Sequence, residues 1–127
     1  MATILIVEDE PSLRDLATII LQRGGHTVIA CADATNAVIT LLQERVDLIV
    51  LDLVMPEMDG FALTRALRDH ARWAHTPILA VTALGGRRYV DEMREAGMDG
   101  VIHKPFRARD LLGAVDSLLH LDNPVSA

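Results

Sequence analysis

The sequence predicts a doubly wound α/β domain, a single five-stranded parallel sheet with five helices on its two faces. Two observations carry this. Short apolar runs recur at fairly even spacing, at 4–7, 27–30, 48–51, 78–81 and 100–103, and most lack the apolar/polar alternation of half-exposed strands. Segments with helical periodicity separate them, and parallel strands need such crossovers.

Each element can be read in turn. "ILIV" at 4–7 runs into Glu8, Asp9 and Glu10. Pro11 opens the first helix, where Leu13, Leu16, Ala17, Ile20 and Leu21 form a stripe, and Gly24-Gly25 closes it. "TVIA" at 27–30 is followed by Cys31 and Ala32, which suits an edge strand. Asp33 is a candidate N-cap for a second helix with Ala37, Val38, Leu41 and Leu42 inward. "LIVL" at 48–51 ends on Asp52, and three more apolar residues precede Pro56 and the turn-forming Asp59-Gly60. The third helix carries Ala62, Leu63, Ala66 and Leu67, with Trp73 covering its end. "ILAV" at 78–81 leads to Thr82 and Ala83. Arg87, Arg88 and Tyr89 head a fourth helix as a solvated start, with Val90, Met93 and Ala96 inward and Gly97 at its end. "GVIH" at 100–103 leads to Lys104-Pro105, and Leu111, Leu112, Val115, Leu118 and Leu119 mark the fifth helix. One domain at 1–121 is expected, with a short flexible tail at 122–127 that suits a complete chain.

Composition excludes several classes. A chain of 127 residues, half of them apolar, is long enough for one real core. Its formal net charge of −6 argues against a nucleic-acid partner bound through a basic face. The lone Cys31 excludes an internal disulfide and fits a reducing compartment as a small apolar residue. The five histidines show no ligand spacing, so a zinc site is not expected. The start has no basic n-region, and no apolar run approaches the ~20 residues of a membrane span. A soluble cytoplasmic domain with no membrane partner is expected.

Function is sought where the strands end, because open α/β sheets bind ligands outside their carboxyl edges. Taken singly, a strand-end Asp is usually a turn or capping residue, a Thr a turn hydroxyl and a Lys a solvated loop cation. Glu8, Asp9 and Glu10 could simply favour the dipole of the following helix. Together the residues say more. Glu8, Asp9 and Asp52 at one edge would repel one another unless a cation sits between them. A few hard carboxylate oxygens suit Mg²⁺, which keeps waters and accompanies phosphates. Asp52 is then a candidate nucleophile and phosphoryl acceptor, with Lys104 and Thr82 placed to contact phosphoryl oxygens.

The stretches "ILIVEDEPSLRDL", "DLIVLDLVMPEMDGF", "AVTA" and "HKPF" resemble, in that order, the receiver domains of two-component response regulators. The resemblance covers essentially the whole chain and implies a flavodoxin-like, CheY-like strand order of 2-1-3-4-5. It implies that Asp52 is phosphorylated by a histidine kinase or histidine phosphotransfer protein. It also implies that Glu8, Asp9, Asp52 and the backbone carbonyl of Val54 hold Mg²⁺, and that Thr82 moves toward the phosphate. The Lys104–Pro105 bond would be cis. Such a chain is a phosphoacceptor switch that signals to a downstream protein, and no enzyme beyond its own phosphotransfer and slow self-dephosphorylation.

One position departs from the pattern. Three residues before the lysine the family often has an aromatic that turns inward, and here Val101 stands there. The switch is therefore expected to rest on Thr82 and the backbone from Ala83 to Arg87. The alternative reading is a degenerate receiver that binds partners without phosphorylation, against which all five of Glu8, Asp9, Asp52, Thr82 and Lys104 are present. A dehalogenase-type hydrolase would need an acid where Val54 stands, and a flavin-phosphate loop would not read "EDEP".

Overall fold

Five strands form one parallel sheet: β1 (Thr3–Val7), β2 (Thr27–Cys31), β3 (Leu48–Asp52), β6 (Ile78–Thr82) and β7 (Gly100–His103). Their order is β2-β1-β3-β6-β7, which is 2-1-3-4-5 counted over the five major strands. The computed structural model describes residues 2–55 and 58–121, so the expected tail at 122–127 lies outside the described residues. Between β3 and the next helix the structure adds a two-residue antiparallel pair, β4 (Val54–Met55) and β5 (Met58–Asp59), which sequence reasoning did not foresee. Elements this short leave no periodicity to read.

Strand burial separates centre from edge. Every residue of β3 and β6 is buried, whereas β2 and β7 are partly open, as expected of edge strands. Alternate side chains feed two layers. Ile4, Ile6, Leu48, Val50, Leu79 and Val81 pack against Ala17, Ile20 and Leu21 of α1 (Pro11–Arg23) and Leu111, Val115 and Leu118 of α5 (Ala108–Leu121). Leu5, Val7, Ile49, Leu51, Ile78 and Ala80 pack on the opposite face. Their partners there are α2 (Ala34–Gln43), α3 (Gly60–Arg68) and α4 (Arg87–Ala96). Among the described residues no helix is long and apolar enough to cross a membrane.

The buried stripes are narrower than the sequence suggests. Leu16, Val38 and Leu42 are exposed, Leu42 to 56%, and Ala62 and Ala66 also face outward. A helix lying on a flat sheet buries only one strip, so residues at the margins of a 3.6-period stripe fall at its flanks.

The helix ends show local chemistry. Asp33 caps α2 by accepting the Asn36 N–H at 2.8 Å. Asp59, read from sequence as a turn, caps α3 by accepting the Phe61 N–H at 2.9 Å, and Gly60 is the first helical residue. A side chain at Gly60 would meet the Leu53 side chain at 2.8 Å and its Cα at 3.1 Å, so only glycine lets α3 begin against the turn after Asp52. Gly97 ends α4 in the left-handed region, with φ 107°.

Candidate functional site

Parallel register brings the strand ends together. Val7 pairs with Leu51, so the next residues, Glu8 and Asp52, leave adjacent strands side by side. Asp52 pairs with Val81, which sets Thr82 one step further on the neighbouring strand. Thr82 pairs with His103, and the Lys104 N–H donates to the Thr82 carbonyl at 2.9 Å. Four strands thus deliver the expected acids, hydroxyl and ammonium to one edge, and the Lys104–Pro105 bond is cis.

The side chains form a compact charged cluster. Lys104 Nζ lies 3.2 Å from Asp52 Oδ2 and 3.1 Å from Glu8 Oε1. Glu8, Asp9 and Asp52 each offer a carboxylate oxygen within 4.8 Å of the others. Asp52 is only 3% exposed, and its second oxygen accepts the Val54 N–H at 3.1 Å. That backbone donor was not anticipated. The buried Thr82 hydroxyl accepts the Leu84 N–H at 2.9 Å. It serves a turn in this structure, which is the humbler of the two roles open to it from sequence.

The neighbouring acid belongs elsewhere. Glu10 caps α1 by accepting the Ser12 and Leu13 N–H groups at 3.1 and 2.8 Å, and these bonds lower its pKa. Arg14, which the sequence did not single out, donates from Nη1 to the carbonyls of Glu8 at 3.0 Å and Asp9 at 3.4 Å. A readable trace of it was a cation one turn into a helix, where the macrodipole disfavours positive charge.

Electrostatics leave the cluster short of positive charge. Three carboxylates face one ammonium, and among the described residues Asp9 has no ion-pair partner. Burial, reinforced by the Asp52 carboxylate, pushes the Glu8 carboxyl up to about 7 against the pull of Lys104. For Lys104, burial alone would lower the pKa, but its hydrogen bond to Glu8 and the charges of Asp52 and Glu8 raise it. The donor set is all hard oxygen and carries more negative charge than Lys104 offsets. That fits a small divalent cation such as Mg²⁺ better than a thiophilic metal. Cys31 plays no part, since burial pushes its thiol up to about 11.

Comparison with known proteins agrees with this edge. The chain matches the response regulator receiver domain over residues 4–116. It is 36% identical over 119 residues to the DNA-binding dual master transcriptional regulator RpaA of Synechocystis, covering 94% of this chain and 49% of that protein. In structure it resembles the Vibrio cholerae chemotaxis protein CheY4, with TM-score 0.88 and 32% identity, covering 93% of this chain and 98% of that one. It also resembles the receiver domain of the Pseudomonas aeruginosa sensor histidine kinase PA1611, with TM-score 0.84 and 29% identity over 94% and 98% of the two chains. That neighbour holds a magnesium ion coordinated in its active-site cleft. The chain spans about half the length of the first curated relatives it matches.

Proposed function

This chain belongs to the response regulator receiver domains, and from that membership we propose a phosphorylation switch in which Asp52 is the acceptor. The single observation that carries the reading is the setting of Asp52. One of its oxygens lies against Lys104 Nζ at 3.2 Å and the other accepts a backbone N–H, with two further acids alongside. A carboxylate so held is oriented for in-line attack.

The donor is a phosphohistidine on a histidine kinase or histidine phosphotransfer protein. An Asp52 oxygen bonds to phosphorus as the phosphorus–nitrogen bond breaks, and the departing imidazole keeps its electron pair and takes a proton. Lys104 stabilises the phosphoryl oxygens. Glu8, Asp9, Asp52 and the Val54 carbonyl would hold Mg²⁺, which when bound supplies the missing positive charge for an incoming phosphoryl group. Thr82 exchanges its turn bond to Leu84 for a phosphoryl oxygen. With Val101 in place of an aromatic, the change passes through residues 83–87 into α4, whose N-terminus has no side-chain cap. The phosphorylated form signals by contact with a downstream protein. The receiver comprises residues 1–121, its self-dephosphorylation is slow, and its setting is cytoplasmic, which the single buried thiol supports.

Acetyl phosphate with Mg²⁺ tests the reading without a cognate kinase. Intact-mass spectrometry is expected to find one added phosphoryl group, absent in Asp52→Asn and reduced in Lys104→Ala. Undiminished labelling of Asp52→Asn would move the acceptor elsewhere.

A further inference from the structure

We propose that Arg14 is a positioning residue for the acidic loop, its guanidinium holding the carbonyls of Glu8 and Asp9 so that both carboxylates converge on Asp52. The proposal rests on the Mg²⁺ reading above and adds a residue to it. Arg14 sits beside an acidic loop, yet among the described residues it forms no ion pair. Its Nη1 instead donates to two successive carbonyls, at 3.0 and 3.4 Å. Successive carbonyls turned toward one point repel each other, and a cationic donor between them relieves that repulsion.

The rest of the loop is anchored from other sides. The Glu8 N–H donates to the Cys31 carbonyl at 3.1 Å, and the Glu10 N–H donates to Glu8 Oε2 at 3.3 Å. Glu10 is itself fixed as the cap of α1. Arg14 ties the carbonyl side of Glu8 and Asp9 to that same helix, while Lys104 holds the Glu8 carboxylate from the other side. Groups that orient metal ligands from behind commonly contribute roughly 10- to 100-fold to affinity.

Two roles for Arg14 predict opposite signs. If it acts only as a charge, it repels a divalent cation, and its removal tightens Mg²⁺ binding. If it positions, its removal weakens binding. Calorimetric titration of the whole chain with Mg²⁺ at pH 8 is expected to show Arg14→Met binding roughly tenfold more weakly than wild type. Arg14→Lys should recover most of the loss, because a single nitrogen makes both bonds. Tighter or unchanged binding in Arg14→Met overturns the proposal.

A second readout needs no metal. In metal-free protein, at a temperature where thermal melts show each variant folded, the Glu10 amide is expected to exchange faster in Arg14→Met and at the wild-type rate in Arg14→Lys. Unchanged Glu10 exchange in Arg14→Met overturns the hold on the loop. A wild-type chain that takes up no Mg²⁺ overturns the metal reading, and the exchange rates then decide the role of Arg14 in the loop by themselves.

Discussion

The two ends of the sheet each hold a half-buried cation among acids, and they meet its cost in opposite ways. At the amino end Arg68 donates to the carbonyls of Gly97, Trp73 and Thr76 at 2.9, 2.9 and 2.8 Å and to Asp99 Oδ2 at 2.7 Å. Asp99 in turn accepts the Ile78 N–H at 2.9 Å. One cation meets one anion, and the remaining donors are met by backbone. The clamp joins the end of α3, the start of β6 and the approach to β7. At the carboxyl end one ammonium pairs with two carboxylates while a third, Asp9, has no ion-pair partner among the described residues, and the deficit is left standing. Removing one partner of a compensated buried charge is costly, while like charges left without enough counter-charge raise the energy of the empty site. Glycine marks both ends. A side chain at Gly60 would strike Leu53 beside Asp52, and one at Gly97 would strike Arg68 Cγ at 2.6 Å.

Removing a charge should therefore have opposite signs at the two ends. Arg68→Ala strips four hydrogen bonds; Asp99 keeps the Ile78 N–H and the Trp73 carbonyl keeps the Thr76 N–H at 3.3 Å, while the carbonyls of Gly97 and Thr76 lose the donor that Arg68 supplies. Breaking a buried pair costs about 3–5 kcal/mol. Asp99 is 44% exposed, so solvent recovers part of that and a loss of about 2–3 kcal/mol is expected in urea denaturation, with or without Mg²⁺. A loss below the error of the extrapolation would show that the amino-end clamp is ornamental and that the contrast fails.

At the carboxyl end, Asp52→Asn or Glu8→Gln is expected to stabilise the metal-free protein, by on the order of 1–2 kcal/mol at pH 8. The pH dependence of Glu8 sharpens this. Its folded pKa of about 7 lies above an unfolded value of about 4.3. The stability it contributes is fully present below about pH 4.3 and is lost as pH rises through about 7. The advantage of Glu8→Gln should thus shrink toward zero near pH 4 and be complete by pH 8. A tenfold excess of Mg²⁺ over its Kd should raise wild-type stability by about 1.4 kcal/mol, and Asp9→Asn should remove most of that rise. Thermal melts indifferent to Mg²⁺ would mean the deficit is not a metal site.

The same contrast explains what could be read from sequence. The carboxyl-end residues Glu8, Asp9, Asp52, Thr82 and Lys104 each stand within two residues of the end of an apolar run, and parallel strands must bring such positions to one edge. The amino-end clamp and the Arg14 contacts escaped notice because their acceptors are backbone carbonyls, which every residue carries. Nothing in "TRALRDH" distinguishes Arg68 from Arg65, yet Arg68 is half-buried and Arg65 exposed. The surplus width of the stripes through Leu16 and Leu42 has the same origin, since periodicity names a helix face but not how much of it the sheet covers. The N–H of Val54 reaching Asp52 likewise depends on a turn that no side chain announces.

The smallest expected effect lies beside the undercompensated end, at two apolar side chains that follow Asp52 and Thr82 in the chain. Hydrolysis of an aspartyl phosphate needs a water in line with phosphorus, opposite the departing carboxylate. Val54 stands two residues after Asp52 and Leu84 two after Thr82, and Val54 is 56% exposed. Neither side chain can donate to or accept from a water. One missing positioning group commonly costs about tenfold in rate, which is about 1.4 kcal/mol of barrier. The phosphorylated chain is therefore expected to lose its phosphate slowly once the donor is removed. Val54→Asn with Leu84→Glu supplies an amide and a carboxylate at the approach and should shorten the lifetime about tenfold or more. Following the phosphorylated mass with time after desalting measures it directly. Equal decay in the double variant and the wild type would mean that water reaches the phosphorus by a path these two side chains do not border.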